Sequence, residues 1–469
     1  MKVLRLERAI DSEAAFLALY GASRSAFWLD SSQAGGGARF SFMGDGSGPL
    51  GATIAYDVEA GRVTVERGGE TEVLTESIFD YLERELARLR PLAAELPFEF
   101  GCGFAGYLGY ELKADCGAAA GHRSPLPDAA LVFADRLVAC DHELGHTYLL
   151  ALAADGDAGE AEAWIEATAA TLAAAPEPPE PPPAAGPVEF RLARSPRRYL
   201  ADIAACERHL LEGESYELCL TNSIAAEVAV DPLDLYRRLR RLNPAPFASY
   251  LRFGELAVLS SSPERFLRVD RQGGVEAKPI KGTARRGASA AEDARLAAEL
   301  RASEKNRAEN LMIVDLLRND LGAVCEIGSV EVPVLMEVET YETVHQLVST
   351  VRGRLRRGAG AVECVRSCFP PGSMTGAPKL RTIEILDELE GAARGIYSGA
   401  IGYWGLGGGC DLSVTIRTIV LDGGSASVGA GGAIVLQSEA QKELQEALLK
   451  ARAPMSAIDP VGAEGAFSN

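Results

Sequence analysis

Glu439, Glu443, Glu446 and Lys450 stand at i, i+4, i+7 and i+11 within residues 437–455, a spacing that puts all four on one face of a helix. Leu444, Ala447, Leu448 and Ala451 form the apolar stripe beside them. A charged stripe of this kind is usually a solvated face. Its functional reading is a Mg²⁺ site, because hard divalent ions take one or two carboxylates together with substrate oxygens. Another carboxylate, Glu309, lies early in the helical stretch 307–322, where the helix macrodipole favours an acid in any case.

Lys281 lies between Pro279 and Gly282 in KPIKGTARRG (278–287), which predicts a tight loop. A lone loop lysine is ordinarily solvated. It becomes a nucleophile or base only where desolvation or nearby charge brings its pKa down from about 10.4. The glycines of GAGGAIV (429–435) allow close approach of backbone to a bound carboxylate, but lack the phosphate-loop and dinucleotide patterns, and a bulge between strands explains them equally well. FPPGSMTGAPKL (369–380) reads as turn and loop, whose Gly and Pro content needs no function.

The elements that must hold these residues are legible in outline. Residues 176–187, PEPPEPPPAAGP, cannot sustain a helix or a central strand and form an extended connector. The connector divides the chain into an N-terminal domain, 1–175, and a second domain, 188–456, with a tail at 457–469. Short apolar runs broken by Gly over residues 1–150 predict antiparallel strands, and the Ala-rich stretch 158–174 a helix. Beyond the connector, residues 195–213 read as a helix opened by Ser-Pro, 215–228 as a strand, and 247–270 as three strands, the first reversing at Gly254-Glu255. Residues 290–322 are two helices or one broken helix, 397–435 a run of strands, and 437–455 a closing helix. The sum is an α+β protein of large antiparallel sheets with helices packed outside, not a doubly wound nucleotide fold.

Length and charge narrow the function classes. A chain of 469 residues, 47% hydrophobic and 24% charged, is long enough for a sizeable core. A net charge of −19 repels phosphate backbones and anionic lipids. The one dense basic run, residues 352–357, reads as a solvated loop or helix end, so neither nucleic acid nor membrane is an expected partner. Nine scattered Cys without metal-ligand spacing read as reduced thiols, and the N-terminus lacks the apolar stretch of a signal peptide. A cytoplasmic protein is expected.

Taken together, these segments resemble the chorismate-utilising enzymes, the family of anthranilate synthase component I, aminodeoxychorismate synthase component I and the isochorismate and salicylate synthases. The resemblance is carried by SSPERFL (261–267), KPIKGTARRG, RAENLMIVDLLRNDLG (307–322), VHQLVSTVRG (344–353), FPPGSMTGAPKLRTIEILDELE (369–390), YSGAIGYW (397–404), DLSVTIRT (411–418) and GAGGAIV. Within the family, PIKGT with Lys281 resembles the aminodeoxychorismate branch, since the sister enzymes are expected to carry Ala at that position. FWLDSS (27–32), residues 38–44, GFAGYLGYELK (103–113) and SPLPDAALVFADR (124–136) extend the similarity to most of the chain. The fold implied is that of anthranilate synthase component I, a two-layer sandwich of large antiparallel sheets.

The resemblance implies chorismate and ammonia as substrates and Mg²⁺ as cofactor. Lys281 is then expected to attack C2 of the chorismate ring, Glu264 to protonate the departing C4 hydroxyl, and His345 to lie near the ring. Arg417 and Tyr397, with amides around Gly431 and Gly432, match a substrate-carboxylate pocket. Lys450 matches a further carboxylate contact, and Ser373 and Thr375 hydroxyl contacts, while Lys379 reads as structural. Glu309 and Glu443 match the Mg²⁺ ligands, with Glu446 binding directly or through water. Asn306 departs from the pattern, standing where relatives often carry an acid. A candidate tryptophan pocket falls on Ser31, Asn243, Pro244 and Phe247. With five His and no G-x-C-x-G loop in the sequence, ammonia is expected from a separate glutamine amidotransferase subunit. Weighed against this are anthranilate synthase component I, the isochorismate and salicylate synthases, and a non-catalytic tryptophan-binding scaffold. Lys281 argues against the sister enzymes and the complete set of site residues against the scaffold.

Overall fold

Phe27 and Trp28 are neighbours on the strand Ser25–Asp30, and the pleat sends them to opposite faces. Phe27 enters a core shared with Phe42, Phe100 and Tyr403. Trp28 packs with Phe16 of the helix Ser12–Tyr20 and with Tyr236 and Met455 on two further helices. The same alternation, repeated along many strands, gives the molecule one apolar layer between sheets and others beneath the helices. The structure, a computed structural model, describes residues 1–32, 39–153, 158–184, 186–341 and 344–466.

Among the described residues, two twelve-stranded antiparallel sheets form this sandwich, as the sequence predicts. Both sheets draw strands from either side of the connector. Ser25–Asp30 pairs with Phe247–Phe253 through Tyr250↔Trp28. In the other sheet Gly103–Leu108 pairs with Ala400–Gly405 through Gly402↔Gly106. Residues 176–187 therefore join two stretches of chain without separating two cores. No helix of the described residues is long and apolar enough to cross a membrane.

Most predicted elements form where their residues place them. The Ser-Pro start becomes the helix Pro196–Leu211, capped by the Ser195 hydroxyl, which accepts from the Arg198 N–H. Residues 290–322 form two helices, Ala290–Ala302 and Glu304–Gly322, separated at Ser303, which caps the second. The connection at Gly254 has a φ of 65°, as a tight hairpin turn requires.

Three readings need correction. Lys281 lies on a strand, Ile280–Arg285, and not on a loop; the irregular pairing between Ile280 and Thr283 explains why the alternation was hard to read. The basic run is in part a strand and not a helix end: Arg352 and Arg354 lie on the strand Val344–Arg354, where Arg352 pairs with Glu276 at 2.8 Å, and the exposed Arg356 and Arg357 follow in the turn beyond it. The segment 457–469 does not begin as a tail, because the closing helix continues to Ile458 and a second helix, Pro460–Ala466, follows. Ile458 and Ala463 are buried, and Asp459 accepts from the Val188 N–H at 2.8 Å. Residues 467–469 lie outside the described residues.

Candidate active site

A general acid has to be held protonated near neutrality, and burial is the simplest way to do it. Glu264 follows the strand Leu256–Ser262, in a turn fixed by its own carbonyl accepting from the Val414 N–H at 3.0 Å. Its side chain is buried. Burial pushes its pKa up to about 7, partly offset by hydrogen bonds from the Ser373 hydroxyl and the Ile280 N–H and by the charges of Lys281 and Lys450. Four of the predicted site residues, Glu264, Lys281, Ser373 and Lys450, thus meet electrostatically around one carboxyl group.

Lys281 is 8% exposed. Its Nζ lies 2.5 Å from Oε1 of Glu217, which is itself fully buried at the start of the strand Glu217–Glu227. Burial alone would depress the ammonium, but Glu217 and then Glu309 outweigh it and the net shift is upward. The expected downward tuning of this lysine is therefore absent from the resting arrangement. Gly282 holds a φ of 91°, and a Cβ there would stand 2.7 Å from the Asn306 amide nitrogen. Asn306, the departure from the family pattern, is thus packed over the backbone next to Lys281.

The closing helix, Ala440–Ile458, does not present its stripe uniformly. Glu439 is a solvated N-cap residue paired with Lys442, whereas Glu443 is 2% exposed. Glu446 is about half exposed at 48% of its side chain and pairs with Lys450 at 2.8 Å. Lys450 outweighs the effect of burial on Glu446 and holds its carboxyl below the usual range. Across from this helix, Glu309 is buried on the helix Glu304–Gly322, and burial raises its pKa against the pull of Lys281 and Lys305.

Lys305 reaches between the two buried acids, contacting Glu443 and lying 3.6 Å from Oε1 of Glu309. Glu309 Oε1 and Glu443 Oε2 are buried with no hydrogen-bond partner. Two hard-oxygen donors left unsatisfied around a point already spanned by one cation are a donor set that suits Mg²⁺. Glu309 and Glu443 would hold it; the Glu446 carboxylate, paired with Lys450, does not converge with both of them in this arrangement.

Further along the same face of the helix, Lys450 donates to the Gly431 carbonyl at 3.0 Å, and a Cβ on Gly432 would lie 3.7 Å from both Glu443 Oε2 and Lys450 Nζ. The glycine run is a regular part of the strand Ser425–Ile434, paired Thr221↔Gly431 and Leu220↔Gly432, so a bulge is not its cause. Close packing is: a Cβ on Gly431 would stand 2.3 Å from the Leu220 carbonyl oxygen. Arg417 adopts a φ of 53°, rare for a residue with a side chain. Its guanidinium donates to the Lys450 carbonyl at 3.3 Å, and among the described residues no carboxylate forms an ion pair with it. Burial disfavours its charge, so an anionic group of a ligand would supply the missing partner. Tyr397 is buried beside Gly429, and burial raises its phenol well above the usual range.

Other predicted residues lie further from this cluster or serve its frame. His345 is buried on the strand Val344–Arg354, with Nε2 3.0 Å from Asp293 and Nδ1 2.9 Å from the Thr340 hydroxyl, so both ring nitrogens are engaged away from Lys281. The Thr375 hydroxyl is fully buried and donates to the Gly372 carbonyl at 3.2 Å, shaping its own loop and not facing a ligand. Lys379 is structural, bound to Asp320 at 2.6 Å and to the Cys368 carbonyl at 2.7 Å.

Ser31 and Phe247 line a separate cavity of about 310 Å³ with Arg39, Tyr403 and Arg265. Asn243 and Pro244 are not part of its wall; the Asn243 amide donates to the Ser261 hydroxyl at 3.2 Å and so braces the strand behind it.

Glu217 and Lys305 were missed in the sequence. Glu217 left one signal, a charge within the apolar strand SYELCL (215–220), where alternation gives no solvated face. Lys305 left none, being one of many charges on a polar helix start.

The model of the chorismate binding enzyme family matches residues 27–456. The chain is 52% identical over 456 residues to a protein named aminodeoxychorismate synthase from Streptomyces griseus, covering 96% of this chain and 63% of that protein. The chain thus spans less than two thirds of that relative's length. It is 36% identical to anthranilate synthase component 1 of Streptomyces coelicolor, over 97% of this chain and 87% of that one. The crystal structure of anthranilate synthase component I from Streptococcus pneumoniae superposes with a TM-score of 0.76 at 28% identity, covering 96% of this chain and 99% of the other.

Proposed function

The chain belongs to the chorismate-binding enzyme family, and on that premise we propose that it converts chorismate and ammonia to 4-amino-4-deoxychorismate, acting as an aminodeoxychorismate synthase component I. The product is a precursor of 4-aminobenzoate and so of folate. The observation that carries this reading is a buried lysine, Lys281, in the same dry cluster as a carboxyl, Glu264, whose pKa is raised to about 7. A family member that used water as its nucleophile would need a lysine there only as a base, with no bond to its nitrogen.

In this reading Lys281 bonds to C2 of the ring and Glu264 gives its proton to the departing C4 hydroxyl, while Ser373 holds the Glu264 carboxyl in place. Ammonia then bonds to C4 and expels the lysine. Arg417 and Lys450 bind substrate carboxylate, with Gly431 and Gly432 giving it room and Tyr397 walling the pocket. His345, on the strand that pairs with that of Lys281, is held by Asp293 and Thr340 and braces the sheet that carries the lysine. Glu309 and Glu443, with Glu446 directly or through water, would hold Mg²⁺, which when bound would offset the charge of a substrate carboxylate. Ammonia comes from a glutamine amidotransferase subunit, in the cytoplasm, where the nine free thiols stay reduced. The cavity of about 310 Å³ beside Ser31 and Phe247 takes an aromatic amino acid such as tryptophan.

The test is incubation of the protein with chorismate, Mg²⁺ and ammonium, with products identified by mass, beside a Lys281→Ala variant. Aminodeoxychorismate from the wild type, lost in the variant, is the expected result. Anthranilate or isochorismate would assign the chain to a sister activity, and untouched chorismate would leave only a binding role.

A further inference from the structure

We propose that Glu217 is the internal base of this site, taking the proton that Lys281 must lose before its nitrogen can bond to substrate and returning it when the lysine is expelled. This rests on the covalent reading given above.

An ammonium has no free electron pair, so a nucleophilic lysine needs a proton acceptor in contact with it. Glu217 meets that requirement by geometry. Its Oε1 is 2.5 Å from Lys281 Nζ, and its Oε2 is buried without a hydrogen-bond partner, leaving unused acceptor capacity. Both residues are held on strands, Glu217–Glu227 and Ile280–Arg285, so the contact is set by the sheets and not by flexible side chains on loops.

The other groups that face Lys281 are less suited. Glu309 belongs to the Mg²⁺ donor set, and Glu264 must keep its proton for the departing hydroxyl. Cys219 is a buried thiol whose ionisation burial opposes. Glu446, on the closing helix, is committed to Lys450. Glu217 is also the only one of these in hydrogen-bond contact with Lys281 among the described residues.

The proton count closes. In the first half-reaction the Lys281 ammonium passes one proton to Glu217 and the freed nitrogen pair bonds to C2. The ring double bonds shift, and the C4–O bond breaks as Glu264 delivers its proton, releasing water. In the second half-reaction ammonia bonds to C4, the double bonds shift back, and the C2–N bond breaks with its electrons returning to Lys281. Glu217 gives its proton back to the amine, and the new C4 ammonium gives one to Glu264. The net reaction is chorismate plus ammonia to amino product plus water, with every side chain restored.

The experiment omits ammonia, so that the reaction halts at the first half. Wild-type protein is mixed with chorismate and Mg²⁺, and the mass of the Lys281 peptide is followed with time. An increment of chorismate less water is expected. In Glu217→Gln the adduct forms at least about 100-fold more slowly, the usual worth of a positioned base, and its rate climbs with pH as solvent takes over the proton. Glu217→Ala is expected to recover speed with added formate, which can occupy the space of the missing carboxylate. That rescue decides the matter should Glu217→Gln fail to fold. A Glu217→Gln rate and pH profile equal to wild type, or no rescue of Glu217→Ala by formate, overturns the proposal. A wild type that forms no adduct overturns the covalent reading itself, a separate and recognisable outcome.

Discussion

The Tyr397 ring fills the space that a side chain at Gly429 would need: a Cβ built there would stand 2.1 Å from Tyr397 Cγ. Even alanine must push the ring away, and no backbone adjustment is free because the glycine's strand is paired Ser223↔Gly429 with its neighbour. Overpacking of this kind costs about 1–3 kcal/mol. Gly429→Ala is expected to lower the free energy of unfolding by that amount and to weaken chorismate binding, since Tyr397 walls the substrate pocket. Urea titration and equilibrium binding measure the two effects separately.

Glu264 predicts a pH dependence with a definite sign. The folded protein holds this proton more tightly than the unfolded chain, where the value is 4.5, so the stability it contributes is complete below that value and is lost as pH rises toward about 7. Glu264→Gln keeps a neutral side chain throughout. It is therefore expected to exceed the wild type in stability by up to about 3 kcal/mol above neutrality and to match it in acid. Denaturant titrations at about pH 5 and about pH 8 check this. Wild-type turnover, with free ammonia held constant, should fall through the same upper range as the general acid is lost.

Removing one carboxylate of the metal donor set and removing the cation between them should act in opposite directions. Glu443→Gln is expected to abolish Mg²⁺ binding in calorimetry. Lys305→Met withdraws an ammonium that contacts Glu443 and lies 3.6 Å from Glu309, and is expected to tighten Mg²⁺ by about tenfold, or about 1.4 kcal/mol. Weaker binding in Lys305→Met would mean that the lysine organises the acids and does not compete with the metal.

The cavity beside Phe247 has a volume of about 310 Å³, at the small end of ligand cavities. Titration with tryptophan is expected to give saturable heat, and Phe247→Ala to weaken that binding at least about tenfold by removing an aromatic wall. Chorismate binding should be unchanged in the variant, since the cavity wall shares no residue with the Lys281 cluster.

The elements whose residues speak for themselves were readable in one dimension. The Ser195 cap and the Gly254 reversal each rest on a local rule of backbone chemistry and formed where the residues put them, whereas the break within 290–322 was open in the sequence and falls at Ser303. Lys281 was misplaced because the irregular pairing between Ile280 and Thr283 hides the alternation that marks a strand. The charged stripe of the closing helix was correct as a periodicity and silent about burial. Helical spacing puts Glu439, Glu443 and Glu446 on one face, but only Glu443 is pressed against the glycines of the strand Ser425–Ile434.

What the sequence determined by itself is the set of chemical groups and the class of architecture: alternation and helical period define the layers, and PIKGT, SSPERF and the glycine run carry the resemblance to one family. What only the tertiary structure decided is which groups meet. Glu217 and Lys281 are 64 positions apart, and Lys305 and Glu443 are 138 apart. Burial, field and proton affinity depend on distance through space, and in a sandwich whose sheets mix strands from both ends of the chain, distance along the sequence says little about it.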